Sequence, residues 1–308
     1  MLERSDLTPR ADLVALFPGQ GSIAAGAGRP WRDSSPWGLV AEITEASGMD
    51  VAHLLLDAPD EDVIRTDHAQ VATFALSMMG FAALLDAGVR PATHLGHSLG
   101  EFSALVAAGV LNLTDGSRLI AARGRAMADA ARRHPGSMVA LMGGDDEARH
   151  RLADLDDVWV ANVNGTGQIV VSGTVEALEH LVENARTLGW RRATALPVGG
   201  AFHSPLMAPA QETLDAALDA ARWTASPVTV IANVDARPHA APEWRDLLSR
   251  QLTSPVEFLD ATLALPDEIR TTIEMPPGAV LTGLTKRIRD FDQQVTLSSP
   301  EAVQEVLP

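Results

Sequence analysis

The sequence predicts an α/β protein, with a parallel sheet flanked by helices and a small second domain inserted into the large one. Three observations predict it. Apolar runs twice end in a glycine-containing turn and give way to helical periodicity, as in parallel sheets. The middle of the chain switches to a β-α-β-β-α-β order. The 308 residues, 46% apolar and 21% charged, suffice for one large core and a smaller satellite.

Taken in order, DLVALF at 12–17 reads as a buried strand ending in the turn PGQGS. Helical periodicity follows from about Trp37 to Leu56 and from Gln70 to Ala87, with Gly88 placed as a C-terminal cap. Residues 92–96 read as a strand, 99–109 as a helix and 114–132 as a second helix rich in Ala and Arg. Around Pro135 the character changes. SMVALMG reads as a strand, DDEARHRLADL as a helix, VWVANVNG and QIVVSG as strands, VEALEHLVENARTLG as a helix and RRATALPV as a last strand. This is the ferredoxin-like order. The expected division is therefore a ferredoxin-like small domain at 134–198 inserted into a discontinuous large domain, 1–133 and 199–308. After it, PLMAPAQETLDAALDAAR resumes a helix and VTVIANV a strand. A ligand is expected in a cleft between the two parts.

Composition narrows the function classes. A net charge of −16 argues against nucleic acid or an anionic membrane as partner. No apolar run is expected to approach the roughly 20 residues of a membrane span, because Gly, Asp, Arg or His interrupts each one. The start, MLERSDLTPRADLVALF, carries acidic residues and no apolar core of a signal peptide, so a cytoplasmic enzyme is expected. With no cysteine there is no disulfide, thiol nucleophile or Cys-based metal site. An acidic partner would need a local basic patch, for which Arg132–Arg133, Arg191–Arg192 and Lys286–Arg287 with Arg289 are the candidates.

The chemistry starts at GHSLG, residues 96–100, which fits the nucleophile elbow G-x-S-x-G between a strand and a helix. This gives the large domain its α/β-hydrolase-like reading. A sharp strand-to-helix turn pushes the Ser98 side chain outward, and the helix start behind it presents backbone N–H groups where an oxyanion forms. A nucleophilic serine needs a base. Of nine histidines, His134, His150, His180 and His239 read as surface residues, and His97 as a structural hydrogen-bonder. His203, in PVGGAFHSPLM where the chain leaves the inserted domain, is the preferred base. Gln20, in the turn after the first strand, lies at the same sheet edge as the elbow and can offer its N–H beside that of Leu99. Arg123 has a planar fork that would bind a carboxylate if it faces the cleft, whereas Arg118 and Arg125 read as surface.

FPGQGS, GHSLGEFSALVAAG, RGRAM, ANVNGTGQIVVSG, GAFHSPLM, NVDA, QLTSPVEF and GAVLTGLTKR follow one another along nearly the whole chain. With them the sequence resembles the malonyl-CoA:acyl carrier protein transacylase family, including the acyltransferase domains of polyketide synthases. The resemblance implies Ser98 as nucleophile, His203 as base, Gln20 and Leu99 as oxyanion donors, and Arg123 as the grip on the malonate carboxylate. It implies that the backbone carbonyl of Gln251 holds the imidazole, so that a Ser-His dyad works without a third acidic residue. It implies ping-pong transfer from malonyl-CoA to the phosphopantetheine thiol of an acyl carrier protein, with no metal or resident cofactor, in fatty acid or polyketide biosynthesis. Nothing in the sequence demands more than a monomer.

Leu99 and GAFH look like the malonyl-selective versions, and a bulky Phe202 beside the base would crowd an α-methyl group, a difference worth roughly 1–3 kcal/mol. Arg191 and Arg192 match basic positions of related enzymes and are the expected carrier-docking residues. One departure stands out. Where the family shows Glu-x-Gly-Pro-Gly, this chain reads EMPPG at 274–278, so Pro276 replaces a glycine. The rival readings are a thioester hydrolase on the same fold, a pathway-dedicated transacylase for another acyl group, and a non-catalytic binding module.

Overall fold

The computed structural model describes residues 2, 4 and 6–307. Among these, nine strands form two sheets: β1 (Arg10–Phe17), β2 (Pro91–Gly96), β3 (Ser137–Met142), β4 (Val158–Gly165), β5 (Gln168–Gly173), β6 (Arg192–Ala195), β7 (Thr229–Ile231), β8 (Thr271–Glu274) and β9 (Gln293–Thr296). The large sheet has the order β7-β2-β1-β8-β9, and all its pairings are parallel. The small one has the order β4-β5-β3-β6, and all its pairings are antiparallel.

In β1 the apolar run LVALF is buried from end to end, as a strand covered by helices on both faces requires. Its alternation sorts side chains to two sides. Leu13, Ala15 and Phe17 enter one core, and Val14 and Leu16 a second that includes Phe258 and Leu281. The small sheet has its own core, where Val139, Leu141, Ile169 and Val171 pack on Leu178, Leu181 and Trp190.

Two expectations need correction. The helical stretch read as continuous from Trp37 to Leu56 is two helices, Leu39–Ser47 and Val51–Leu56. Gly48, at φ 69°, ends the first in a left-handed cap, and the Asp50 carboxylate accepts the His53 N–H to start the second. The second correction concerns apolar length. The helix Thr66–Asp86 is long and apolar enough to cross a membrane, and Asp67 and His68 merely occupy its first turn. Its apolar window is 94% buried inside the fold, so it is apolar on all sides because it is a core helix packed all round.

The strand order turns about β1, since β2 and β7 lie to one side and β8 and β9 to the other. In such sheets ligands bind outside the carboxyl ends of the strands near this switch. The turn after β1 carries Gln20, the turn after β2 carries Ser98, and the loop after β7 carries Asn233. The small sheet is stitched to this edge. Val163 N–H donates to Val256 O and Val256 N–H to Ala161 O, both at 2.9 Å, and the Ser172 hydroxyl of β5 donates to Phe202 O. At the end of β8, Glu274 is buried and accepts the Leu281 and Thr282 N–H groups at 3.0 and 2.7 Å, capping the next helix. Pro276 is buried as well. It lies against Gly80 of the core helix, and its carbonyl accepts the Ser77 hydroxyl at 2.9 Å, so the EMPPG departure sits against the core.

Candidate active site

Ser98 connects β2 to the helix Leu99–Ala108 with φ 54° and ψ −109°, a conformation L-residues rarely hold and one worth on the order of 1–3 kcal/mol of strain. The glycines around it make this possible. A Cβ on Gly96 would lie 2.1 Å from the Gly100 carbonyl carbon, and one on Gly100 would lie 1.9 Å from Phe17 O. Hydrogen bonds over-determine the turn. The Ser98 N–H donates to Asn233 Oδ1 at 2.7 Å, and its carbonyl accepts Gln251 Nε2 at 3.0 Å. Asn233 Nδ2 donates to Gly96 O at 2.7 Å, so one buried amide clamps both sides of the elbow.

The loop that carries His203 reaches the same point. His203 also has positive φ, 58°, just ahead of the short 3-10 turn Pro205–Met207 that Ser204 caps. Its Nε2 is 2.7 Å from Ser98 Oγ, and its Nδ1 is 2.9 Å from the carbonyl of Gln251. A carbonyl only accepts, so Nδ1 carries the hydrogen and Nε2 keeps its lone pair toward the hydroxyl. Burial pulls the His203 pKa down to about 3, and the Arg123 charge adds to this, while the bond to Gln251 O opposes it. The imidazole is therefore neutral across the physiological range, as a base must be.

Arg123 projects from the helix Leu113–Arg133 and is 1% exposed, while Arg118 and Arg125 on the same helix are exposed. Its Nη1 donates to Gln70 Oε1 at 2.7 Å, and its Nη2 donates to Gln251 Oε1 at 2.9 Å and to Ser98 Oγ at 3.1 Å. Its Nε has no partner among the described residues. Burial lowers its pKa to about 10, with Glu101 opposing, so it stays cationic at neutral pH. A buried cation beside the nucleophile, with donor capacity to spare, is suited to an anionic group on the substrate.

Gln20 opens the 3-10 turn Gln20–Ser22 directly after β1, and Leu99 opens the helix after Ser98. The turn lies on the elbow, because His97 N–H donates to Phe17 O at 3.0 Å and a Cβ on Gly19 would stand 3.2 Å from His97 O. His97 reaches across to the small sheet, its Nε2 lying 2.9 Å from Asn164 Oδ1. Phe202 is buried at 5% exposure, with its ring edge over Gly200.

Not every sequence candidate converges here. Arg191 and Arg192 lie at the exposed edge strand β6, where the Arg191 stem crosses Gly143 and Arg192 Nε donates to Thr194 Oγ1. Arg287 donates to Gln168 Oε1, and Arg289 is occupied by the carbonyls of Leu265 and Pro266. His239 is half-buried between the carboxylates of Asp235 and Glu243, not a free surface residue. Four residues went unread as site groups: Gln70, Glu101, Asn164 and Asn233. Asn233 and Asn164 stand within quoted motifs, NVDA and ANVNG, and that was their only signal. The Gln251 side chain belongs with them, since the resemblance implies a role only for its carbonyl.

An elbow serine, a neutral histidine held by a carbonyl and a buried arginine on the nucleophile define a serine-dependent acyl-transfer enzyme. The acyl transferase domain family matches residues 14–303, and the chain belongs to it. Within that family it is a member of the malonyl-CoA:acyl carrier protein transacylases. It is 37% identical over 301 residues to the malonyl CoA-acyl carrier protein transacylase of Bacillus subtilis, covering 95% of both chains. The solved malonyl-CoA:acyl carrier protein transacylase of Xanthomonas oryzae superposes with a TM-score of 0.92 at 35% identity, over 97% of this chain and 98% of that one. The malonyl-transacylase PlMCAT, solved in complex with the type II polyketide-synthase acyl-carrier protein AntF, superposes with a TM-score of 0.90 at 31% identity, over 96% and 99%.

Proposed function

We propose that the enzyme moves a malonyl group from malonyl-CoA to the phosphopantetheine thiol of an acyl carrier protein through an ester on Ser98. Family membership supports the reaction class. The observation that carries the choice of acyl group is Arg123, a buried guanidinium 3.1 Å from Ser98 Oγ with an unpartnered Nε.

In the first half-reaction the malonyl carboxylate pairs with Arg123, which places the thioester carbonyl over Ser98. His203 Nε2 takes the hydroxyl proton as Oγ attacks. The resulting oxyanion is held by the N–H groups of Gln20 and Leu99, removal of either being worth about 100- to 1000-fold in rate. Collapse breaks the C–S bond, and the imidazolium returns its proton to the departing coenzyme A sulfur. In the second half-reaction the same imidazole takes the proton of the carrier's thiol, which attacks the ester, and returns it to Ser98 Oγ. Both halves use the same groups, so the reading requires no metal or resident cofactor.

Phe202 is read as the residue that disfavours an α-methyl branch. Arg191 and Arg192, exposed and cationic on a chain of net charge −16, are read as the docking surface for an acidic carrier. Reversing both to Glu is expected to slow transfer to the carrier while leaving loading from malonyl-CoA intact; unchanged transfer removes them from the surface.

Incubation with malonyl-CoA, methylmalonyl-CoA and acetyl-CoA, followed by intact mass, tests the acyl assignment. A malonyl adduct absent from Ser98→Ala is expected. Preferential acetyl loading would overturn the role of Arg123.

A further inference from the structure

Glu101 lies three residues after the nucleophile in the first turn of its helix, and is 1% exposed. Its Oε1 accepts the backbone N–H of Asn233 at 2.6 Å, and its Oε2 accepts Gln251 Nε2. Both partners act directly on the elbow. Asn233 Oδ1 holds the Ser98 N–H, and Gln251 holds Ser98 O through Nε2, Arg123 through Oε1 and His203 through its own carbonyl.

The two ends of a glutamine amide are nearly the same shape, so its partners decide which end is the donor. One end of Gln251 meets Ser98 O and the Glu101 carboxylate, both acceptors. The other end meets Arg123, which can only donate. Ser98 O alone is a weak arbiter, because it also accepts the Glu101 N–H of the helix. The ionised carboxylate fixes the amide with Oε1 toward the guanidinium.

We infer that Glu101 is a positioning residue for acyl selection, locking the Gln251 amide so that Arg123 is held on the carboxylate side of Ser98. The inference rests on the reading that Arg123 binds the acyl carboxylate. Glu101→Gln keeps the shape and the acceptor for Asn233 N–H, but sets an NH₂ against Gln251 Nε2. Gln251 then relieves that clash by turning its amide, which presents a donor to Arg123 and leaves the guanidinium without its acceptor.

The readout is the ratio of malonyl to acetyl loading rates on the full chain, because a general loss of packing lowers both rates and leaves the ratio alone. Glu101→Gln is expected to lower it about tenfold or more, the scale of one lost charge-assisted hydrogen bond. A ratio within threefold of the unaltered enzyme overturns the inference. Arg123→Ala, measured in parallel, separates the two layers. If it leaves the ratio unchanged, the carboxylate grip fails and takes the Glu101 role with it. If it lowers the ratio and Glu101→Gln does not, only Glu101 is dismissed.

Should Glu101→Gln not fold, the unaltered enzyme supplies the test through pH. Burial raises the Glu101 pKa to about 7 against the opposing pull of Asn233 N–H, Gln251 and Arg123, with Asp235 pushing the same way as burial. Arg123 and Asp235 are the charged groups that face it, and Arg123, its pKa about 10, stays cationic over this range. The ratio is then highest above pH 7 and falls as Glu101 takes a proton below it. A ratio independent of pH between 8 and 5.5 overturns the inference.

Discussion

Gly100→Ala puts the elbow under a defined mechanical load. The new Cβ would stand 1.9 Å from Phe17 O and 2.6 Å from Phe17 C, against an ordinary contact of at least 3.4 Å, so the two chains must part by about 1.5 Å. Backbone meets backbone there, and no flexible side chain can yield. The displaced segments carry Leu99 on one side and the turn to Gln20 on the other, so the two oxyanion donors separate. A 1 Å misplacement at a reacting centre costs roughly 100-fold, and loss of an oxyanion donor about 100- to 1000-fold. Serine acylation by malonyl-CoA, followed by rapid quench and intact mass under single-turnover conditions, is expected to slow by about 100- to 1000-fold. Overpacking adds about 1–3 kcal/mol of destabilisation, read by urea denaturation. Gly283→Ala is the control, since its Cβ would meet nothing within 4 Å. It is expected to keep full activity and gain about 0.5–1 kcal/mol from helix propensity. A folded Gly100→Ala enzyme that acylates within threefold of the unaltered one would refute the reasoning.

Three further outcomes are expected. Asn233→Ala leaves the part-buried Ser98 N–H and the buried Gly96 carbonyl without this partner, which at about 1–3 kcal/mol each destabilises the fold by roughly 2–6 kcal/mol in denaturant titration and slows acylation. A stability change under 1 kcal/mol would contradict this. The depressed pKa of His203 keeps the base neutral until the pH falls toward about 3, so acetyl loading, which does not engage the carboxylate grip, stays flat from pH 8 to 5. An acid limb near 6.5, the ordinary imidazole value, would show the burial argument to be wrong. Arg123→Ala removes the second cause of that depression and raises the His203 pKa, which a pH profile of acetyl loading detects as an acid limb moved upward.

The elbow was legible because its chemistry is local. A strand, a serine flanked by glycines and a helix stand next to one another in the chain, and the steric need for Gly96 and Gly100 follows from the turn itself. Arg123 was legible only conditionally, since a guanidinium among Ala and Leu on a helix reads as surface until its facing direction is known. Glu101 and the Gln251 side chain were illegible for a different reason. Both matter through contacts across 150 and 128 positions of sequence, and nothing in the residues nearby selects those partners. The core helix Thr66–Asp86 shows the converse, where Asp67 and His68 interrupt the apolar pattern only in its half-buried first turn. The broken helix at Gly48 was missed because apolar spacing runs on across the left-handed cap.

The separation of transfer from hydrolysis is read directly from the fate of the acyl group on Ser98. The malonyl-enzyme, freed of malonyl-CoA, is mixed with carrier protein bearing phosphopantetheine, or with buffer alone, and both proteins are followed by intact mass. Malonyl should leave Ser98 and appear on the carrier far faster than it is lost to water in the control. Release of free malonate at the same rate with and without the carrier would make the protein a thioester hydrolase.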